Sequence, residues 1–325
     1  MIPYGVSALL YAPLARNISP RALMGVTMLL FAATNVLCAG VGDIRHFFLF
    51  RCLMGIVSAG VVPLGLILIG KIFDKEIRGR MLGLFFSCSF IASIAGIALS
   101  GLANWRWLFV IPAAIGFVNA GLLFLFKSPL LSRLEGRVDY VSIFREPQTR
   151  NIFIFITLIS TLYHGVDRWL GVYMSRIYEL NQLTISLLFG LMAVSSAVGQ
   201  NVGGWISDKK GRLISCRAGI LMLAAGTMIL SFKFNVPALV ALLVLLSVGW
   251  TVGHNGASAV LTDFPDSKRS EIASLNSALR FVGGGIGFTI SGLFVEKSFA
   301  LTYLGIGIFI LILSFFVKRV VPETL

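Results

Sequence analysis

The chain has 325 residues, 57% hydrophobic and 13% charged, with a mean hydropathy of +0.91, against the roughly half apolar, quarter charged mix of a soluble domain. That composition excludes a water-soluble globule. Twenty-seven Lys and Arg against fourteen Asp and Glu leave a net charge of +13, and because these charges lie in short clusters between apolar runs they read as membrane topology, not as a nucleic-acid surface. Cys38, Cys52, Cys88 and Cys216 sit in or beside apolar runs without C-x-x-C spacing. They are assigned to packing, with no disulfide framework and no metal site.

A helix crossing a hydrocarbon core of about 30 Å needs about 20 mostly apolar residues, since only an internally bonded helix satisfies its backbone in lipid. The first apolar run, 2–15, reaches only about 21 Å at 1.5 Å per residue, which predicts a span whose beginning lies upstream. A native reading frame with another ~20 apolar residues before Met1 is the matching expectation. Full-length spans are then predicted at 22–41, 46–71, 79–102, 107–127, 151–175, 183–206, 215–233, 237–261, 271–295 and 299–317. Pro63 is expected to kink the second of these, with a neighbouring helix partnering the freed carbonyl.

Lys and Arg in alternate connections number nineteen on one side and five on the other, the five being Arg45, Arg106, Arg176, Lys233 and Lys297. Cytoplasmic loops retain positive charge, so the C-terminus is predicted to be cytoplasmic in a multi-pass protein of the cell membrane. The most polar stretch, 128–150, reads as a cytoplasmic linker between an N-terminal bundle at 1–127 and a six-helix bundle at 151–325. An offset of 191 relates the two: Phe90, Gly96, Ser100, Gly101 and Leu102 meet Phe281, Gly287, Ser291, Gly292 and Leu293, and the loop 12–21 meets the loop 203–212. Duplication of this kind marks a carrier built from two similar bundles. The fold class expected is an all-α integral membrane protein of two pseudosymmetric bundles, five spans plus six here and six plus six in the full fold.

Two spans carry polar stripes at helical spacing, which lipid disfavours unless they face protein or water. One holds Thr157, Ser160, Thr161, His164, Asp167, Arg168 and Ser175. The other holds Ser247, Thr251, His254, Asn255, Ser258 and Thr262. Asp167 is the one carboxylate read well inside a span, and burial favours the protonated form of a carboxyl group, so Asp167 is the candidate proton carrier; structural pairing with Arg168 is the competing reading. His164 either relays a proton or packs as a hydrogen-bonded imidazole. His254 either binds substrate or packs. Arg51 either faces a cavity and bridges to Asp167 or snorkels to the interface. Arg280, with Asn276 and the run Gly283-Gly284-Gly285 nearby, either binds an anionic group or ties down carbonyls. Trp250 and Phe281 either stack on an apolar ligand or pack.

The loop after the sixth predicted full-length span reads Gly204, Asp208, Gly211, Arg212, which resembles the G-x-x-x-D-x-x-G-R signature of the major facilitator superfamily. The first-half copy keeps Arg21 and has Pro13, Asn17 and Pro20 at the other three places. Arg51 and Gly55 resemble the family's R-x-x-Q-G, with Met54 for Gln, and Arg78-Gly79-Arg80 followed by Trp105-Arg106-Trp107 resembles the drug:proton antiporter branch; that branch's Gly-Pro pair is replaced by Ala92-Ser93. The resemblance implies a central cavity lined by the two polar stripes and the Arg51 helix. It also implies that Asp208 latches one arrangement of the bundles at the positive end of a neighbouring helix, whereas Asn17 lacks the charge; a solvated basic loop is the bland alternative.

Gly65 to Lys71 nearly spells a phosphate loop, but Ile72 stands where Ser or Thr is needed and the run is a membrane helix. With no H-E-x-x-H, G-x-S-x-G or paired-carboxylate motif, no enzyme and no cofactor are expected. The expected function is a monomeric secondary carrier of small organic compounds working by alternating access, with proton-coupled efflux first. Sugar or organic-anion transport, and a transport-incompetent truncated membrane protein, are the alternatives.

Overall fold

The structure is a computed structural model that describes residues 1–73, 75–102, 104–125, 138–260 and 269–321; at some helical positions, Lys71, Arg78, Arg80, Asp208 and Asn255 among them, only the backbone is described. All regular structure among the described residues is helical. Eight stretches there are long and apolar enough to cross a membrane, one of them, Ile44–Ile69, made of two helices; the predicted spans 79–102 and 151–175 are not among the eight.

Two compact units divide the chain: Met1–Ser142 with Ser267–Val282, and Ile143–Asp266 with Gly283–Leu325. The first unit holds α1 (Ile2–Asn17), α2 (Pro20–Gly40), α3 (Ile44–Ser58), α4 (Val61–Ile72), α5 (Lys75–Leu102), α6 (Trp107–Leu125) and the start of α7 (Tyr140–Arg145). The second holds α8 (Pro147–Asp167), α9 (Leu170–Tyr178), α10 (Gln182–Lys210), α11 (Arg212–Ile229), α12 (Val236–Val260) and α14 (Phe299–Val320). The intervening α13 (Arg269–Val295) contributes its first half to the first unit and its second half to the second.

The predicted span 46–71 is two helices, α3 and α4, parted at Ala59-Gly60. Pro63 offers no N–H to Ala59 and its ring crowds that carbonyl, so the ladder opens just upstream. The Gly60 N–H turns to Val57 O at 3.3 Å, and the Tyr11 hydroxyl of α1 donates to the carbonyls of Ile56 and Val57 at 3.1 and 2.8 Å. A neighbouring helix thus supplies a donor to the last turn of α3, upstream of the Ala59 carbonyl that Pro63 leaves. The predicted span 151–175 is likewise two helices, α8 and α9, joined through Arg168 and Trp169; the Trp169 indole donates to Phe288 O at 3.1 Å and stacks on that ring, which ties the joint to α13.

The predicted loop 203–212 is a correction. Helix α10 runs on through Asp208 to Lys210, and one residue, Gly211, separates it from α11. Gly211 has φ +93° and ψ 152°, a conformation open to glycine and strained for other residues. Asp208 therefore occupies the last turn of a helix, and its side chain lies outside the described residues, as does that of Asn255. Arg21 lies in the first turn of α2, which starts at Pro20 after the Ser19 cap. Asn17 ends α1. The four cysteines are free thiols, with Cys38 and Cys216 buried.

Close helix approach comes from glycine, as lipid offers no hydrophobic drive and backbone contact must replace it. Gly287 of α13 lies so near the Thr161 backbone of α8 that a Cβ would overlap it.

Candidate functional site

One face of α8 carries Ser160, Tyr163, His164 and Asp167 at i, i+3, i+4 and i+7, the spacing that keeps side chains in line on a helix. The Asp167 carboxylate lies near three groups. The Tyr163 hydroxyl donates to Oδ1 at 3.3 Å, His164 Nδ1 stands 3.8 Å from Oδ2, and Arg168 Nε stands 3.4 Å from Oδ2. The Asp167 side chain is 18% exposed and that of Arg168 50%, so the phenol and the imidazole belong to the buried side while the guanidinium reaches outward. Trp250 of α12 covers this cluster, stacked on Tyr163 at 3.9 Å and 3° and tilted against His164 at 5.8 Å and His254 at 5.4 Å.

Chemically, this is a carboxyl group able to exchange a proton with an imidazole three residues away, beside a stacked aromatic pair. Tyr163 is the member that sequence reasoning passed over. Its position one turn before Asp167 was the available signal, but a tyrosine in a span reads as packing.

Ser160 is fully buried, with no hydrogen-bond partner for its hydroxyl among the described residues. It lines, with Trp250, Gly253 and His254, a cleft of only about 10 Å³, close to the size of a single water. Thr251 departs from the expected cavity lining: its hydroxyl donates to the carbonyls of its own helix at Ser247 and Val248, and the side chain packs on Gly199 of α10. Thr157 and Thr161 also return their hydroxyls to their own helix, at Phe153 O and Thr157 O. They face the glycines of α13.

The first unit holds a second polar group. Asn276 and Arg280 sit one turn apart on α13, where the Asn276 Oδ1 is buried without a hydrogen-bond partner among the described residues. Tyr4 of α1 lies within electrostatic reach of Arg280, and its ring stands 4.1 Å from that of Phe281. Arg51 is exposed on α3, over the Phe109 ring at 5.6 Å and donating to Met54 Sδ at 3.4 Å.

A second carboxylate is withdrawn from water, at the end of a span and not within one. Glu271, in the first turn of α13, is 4% exposed and pairs with Arg16 of α1 at 2.8 Å. Arg16, one of the nineteen basic residues on the side read as cytoplasmic, is a half-buried partner in this pair. Nothing local in the sequence joins residues 255 positions apart. Among the described residues, no group of His, Cys, Asp and Glu is placed to hold a metal ion.

The Major Facilitator Superfamily profile matches residues 1–288, and the chain belongs to that family, one of transporters and not of enzymes. The Probable L-galactonate transporter of Escherichia coli (strain K12) is 25% identical over an alignment of 265 positions that covers 70% of this chain and 58% of the relative. Multidrug resistance protein 3 of Bacillus subtilis (strain 168) is 20% identical over an alignment of 331 positions, gaps included, that covers 82% of this chain and 65% of the relative. The chain thus spans about three fifths of the length of these curated relatives. A bacterial homologue of the human lysosomal transporter Spinster, solved inward-facing and occupied, has a TM-score of 0.77 at 14% identity, with 98% of this chain and 86% of the other covered; at that identity the likeness is one of fold.

Proposed function

We propose that this chain is a secondary transporter of the drug:proton antiporter kind, moving a small organic compound out of the cell by alternating access and coupling that movement to a proton at Asp167. The observation that carries the proposal is the contact set of Asp167 with Tyr163 and His164 beneath Trp250. A carboxylate withdrawn from water, 18% exposed at the end of α8, has a standing energetic cost, which function explains better than stability does. His164 acts as the adjacent proton relay, Tyr163 orients the carboxylate, and Ser160 and His254 offer hydrogen bonds to a substrate stacked near Trp250. The basic loops support a cytoplasmic C-terminus in the cell membrane, and the protein acts as a monomer.

A sugar or organic anion as substrate is the second reading. Asn276 and Arg280 favour it, as does the likeness to a relative named as a galactonate transporter. The test is flux of a substrate panel into proteoliposomes with and without an imposed pH gradient. Asp167→Asn is expected to lower gradient-driven flux by at least about 100-fold, the scale of a lost proton-transfer group, while gradient-free substrate exchange persists. Full gradient-driven flux in Asp167→Asn would remove the coupling role. Flux that is confined to anions and is lost in Arg280→Gln would favour the second reading.

A further inference from the structure

On nearly the opposite side of α8 from Asp167, a groove of about 410 Å³ runs between α8, α13 and α14. Gly165, Gly287 and Gly305 form part of its lining, together with apolar residues such as Ile290 and Phe309. Those two side chains are 51% and 62% exposed, so the groove opens on an apolar outer face, the kind of surface that a membrane protein presents to hydrocarbon.

The polar atoms of the lining are largely engaged within their own helices, and one charged group stands apart from them. The hydroxyls of Thr161, Ser291 and Thr302 donate to carbonyls of their own helices, at Thr157, Phe288 and Ser298. The Ser298 hydroxyl accepts from Leu301 N. A sugar or another hydrogen-bonding solute would find few free donors along these walls and would recover little of the hydration it gives up. The charged group is Lys297, an exposed ammonium between α13 and α14 at one end of the groove. Among the described residues it makes no ion pair, including with neighbouring Glu296. The occupant that suits the groove has an apolar body the length of the walls and a negative charge at one end.

We infer that this groove is a binding site for an anionic phospholipid, with an acyl chain lying along α8, α13 and α14 and the headgroup phosphate at Lys297. The chain enters sideways from the bilayer, and a lysine at the end of a span is placed to meet a phosphate at the interface. The site stands on residues separate from the proton-coupling cluster and does not depend on the transport reading.

The experiment is lipid retention by the purified full chain, read by native mass spectrometry after exchange into mixed micelles of phosphatidylglycerol and phosphatidylcholine. The native protein is expected to keep phosphatidylglycerol in preference by about fivefold, the worth of one lysine near an anionic surface. Lys297→Gln is expected to level the two lipids. Gly305→Leu is expected to expel both, because a Cβ at Gly305 points into open space and the side chain can fill the groove without displacing packed atoms. Gly305→Ala, too small to fill it, should retain lipid and serves as the folding control. An unchanged preference in Lys297→Gln, or full retention in Gly305→Leu, would overturn the assignment, as would equal retention of both lipids by the native chain.

Discussion

Asp43 shows how a single side chain starts a helix here. It precedes α3, and its Oδ1 accepts from the backbone N–H groups of Arg45 and His46 at 3.0 Å each, while Oδ2 stands 2.6 Å from His46 Nδ1. Those contacts, the His46 N–H foremost and the His46 ring next, hold the Asp43 carboxyl below the usual carboxylate range. The sign follows directly. A carboxyl group with a depressed folded value adds stability above its unfolded value of about 3.9, and that stability is lost as the pH falls through the folded value. In thermal melts of the detergent-solubilised protein taken from neutral pH downward, Asp43→Asn is expected to flatten the acid limb and leave the neutral plateau little changed, because asparagine still caps a helix. An acid limb identical to that of the native chain would show that other carboxylates govern it.

At the scale of the element, the broken helices carry the energetics. A gap in a membrane helix leaves carbonyls without donors, and lipid supplies none. The Tyr11 hydroxyl fills that need at Ile56, whose usual donor, the Gly60 N–H, has turned to Val57. Tyr11→Phe keeps the ring and removes the donor, so it should cost about 1–3 kcal/mol, the penalty for leaving a buried polar group unmet. A lowered melting temperature with unchanged helical content by circular dichroism checks this, and an unaltered melt would mean that water satisfies the break. The break itself was legible at Pro63, since proline opens the ladder wherever it falls. Its partner was not, because Tyr11 sits on another helix and reads as one more aromatic in an apolar run. At α8 the stripe of Ser160, His164 and Asp167 was legible from period alone. The interruption after Asp167 was not, because no proline or glycine marks Arg168-Trp169 and the anchoring contact to Phe288 is a tertiary one. Gly211 was legible as part of a motif, yet the reason for glycine there, a positive φ, emerges only from a helix that continues to Lys210.

At the scale of the whole molecule, the pair between Arg16 and Glu271 fastens the end of α1 to the start of α13 within the first unit. Each charge also suits its own helix, an arginine in the last turn of one and a glutamate in the first turn of the other, complementing the terminal partial charges. Tyr140 stands beside them and donates to Leu9 O at 2.8 Å; burial pushes its phenol up from the usual value, Glu271 reinforcing this and Ser274 and Arg16 opposing. Both charged side chains are withdrawn from water, 14% and 5% exposed. Desolvation therefore offsets much of their attraction, and the pair as a whole adds little net stability. Removing one member is different, since it strands the other. Glu271→Leu is expected to destabilise by about 3 kcal/mol, Arg16→Met by a similar amount, and the double replacement Arg16→Met with Glu271→Leu by clearly less than the sum of the single changes. Thermal unfolding of the four proteins in one detergent measures the cycle. Additive losses would mean that the two side chains act independently and that α13 is held to α1 by the packing around Gly5 and Ala278 alone.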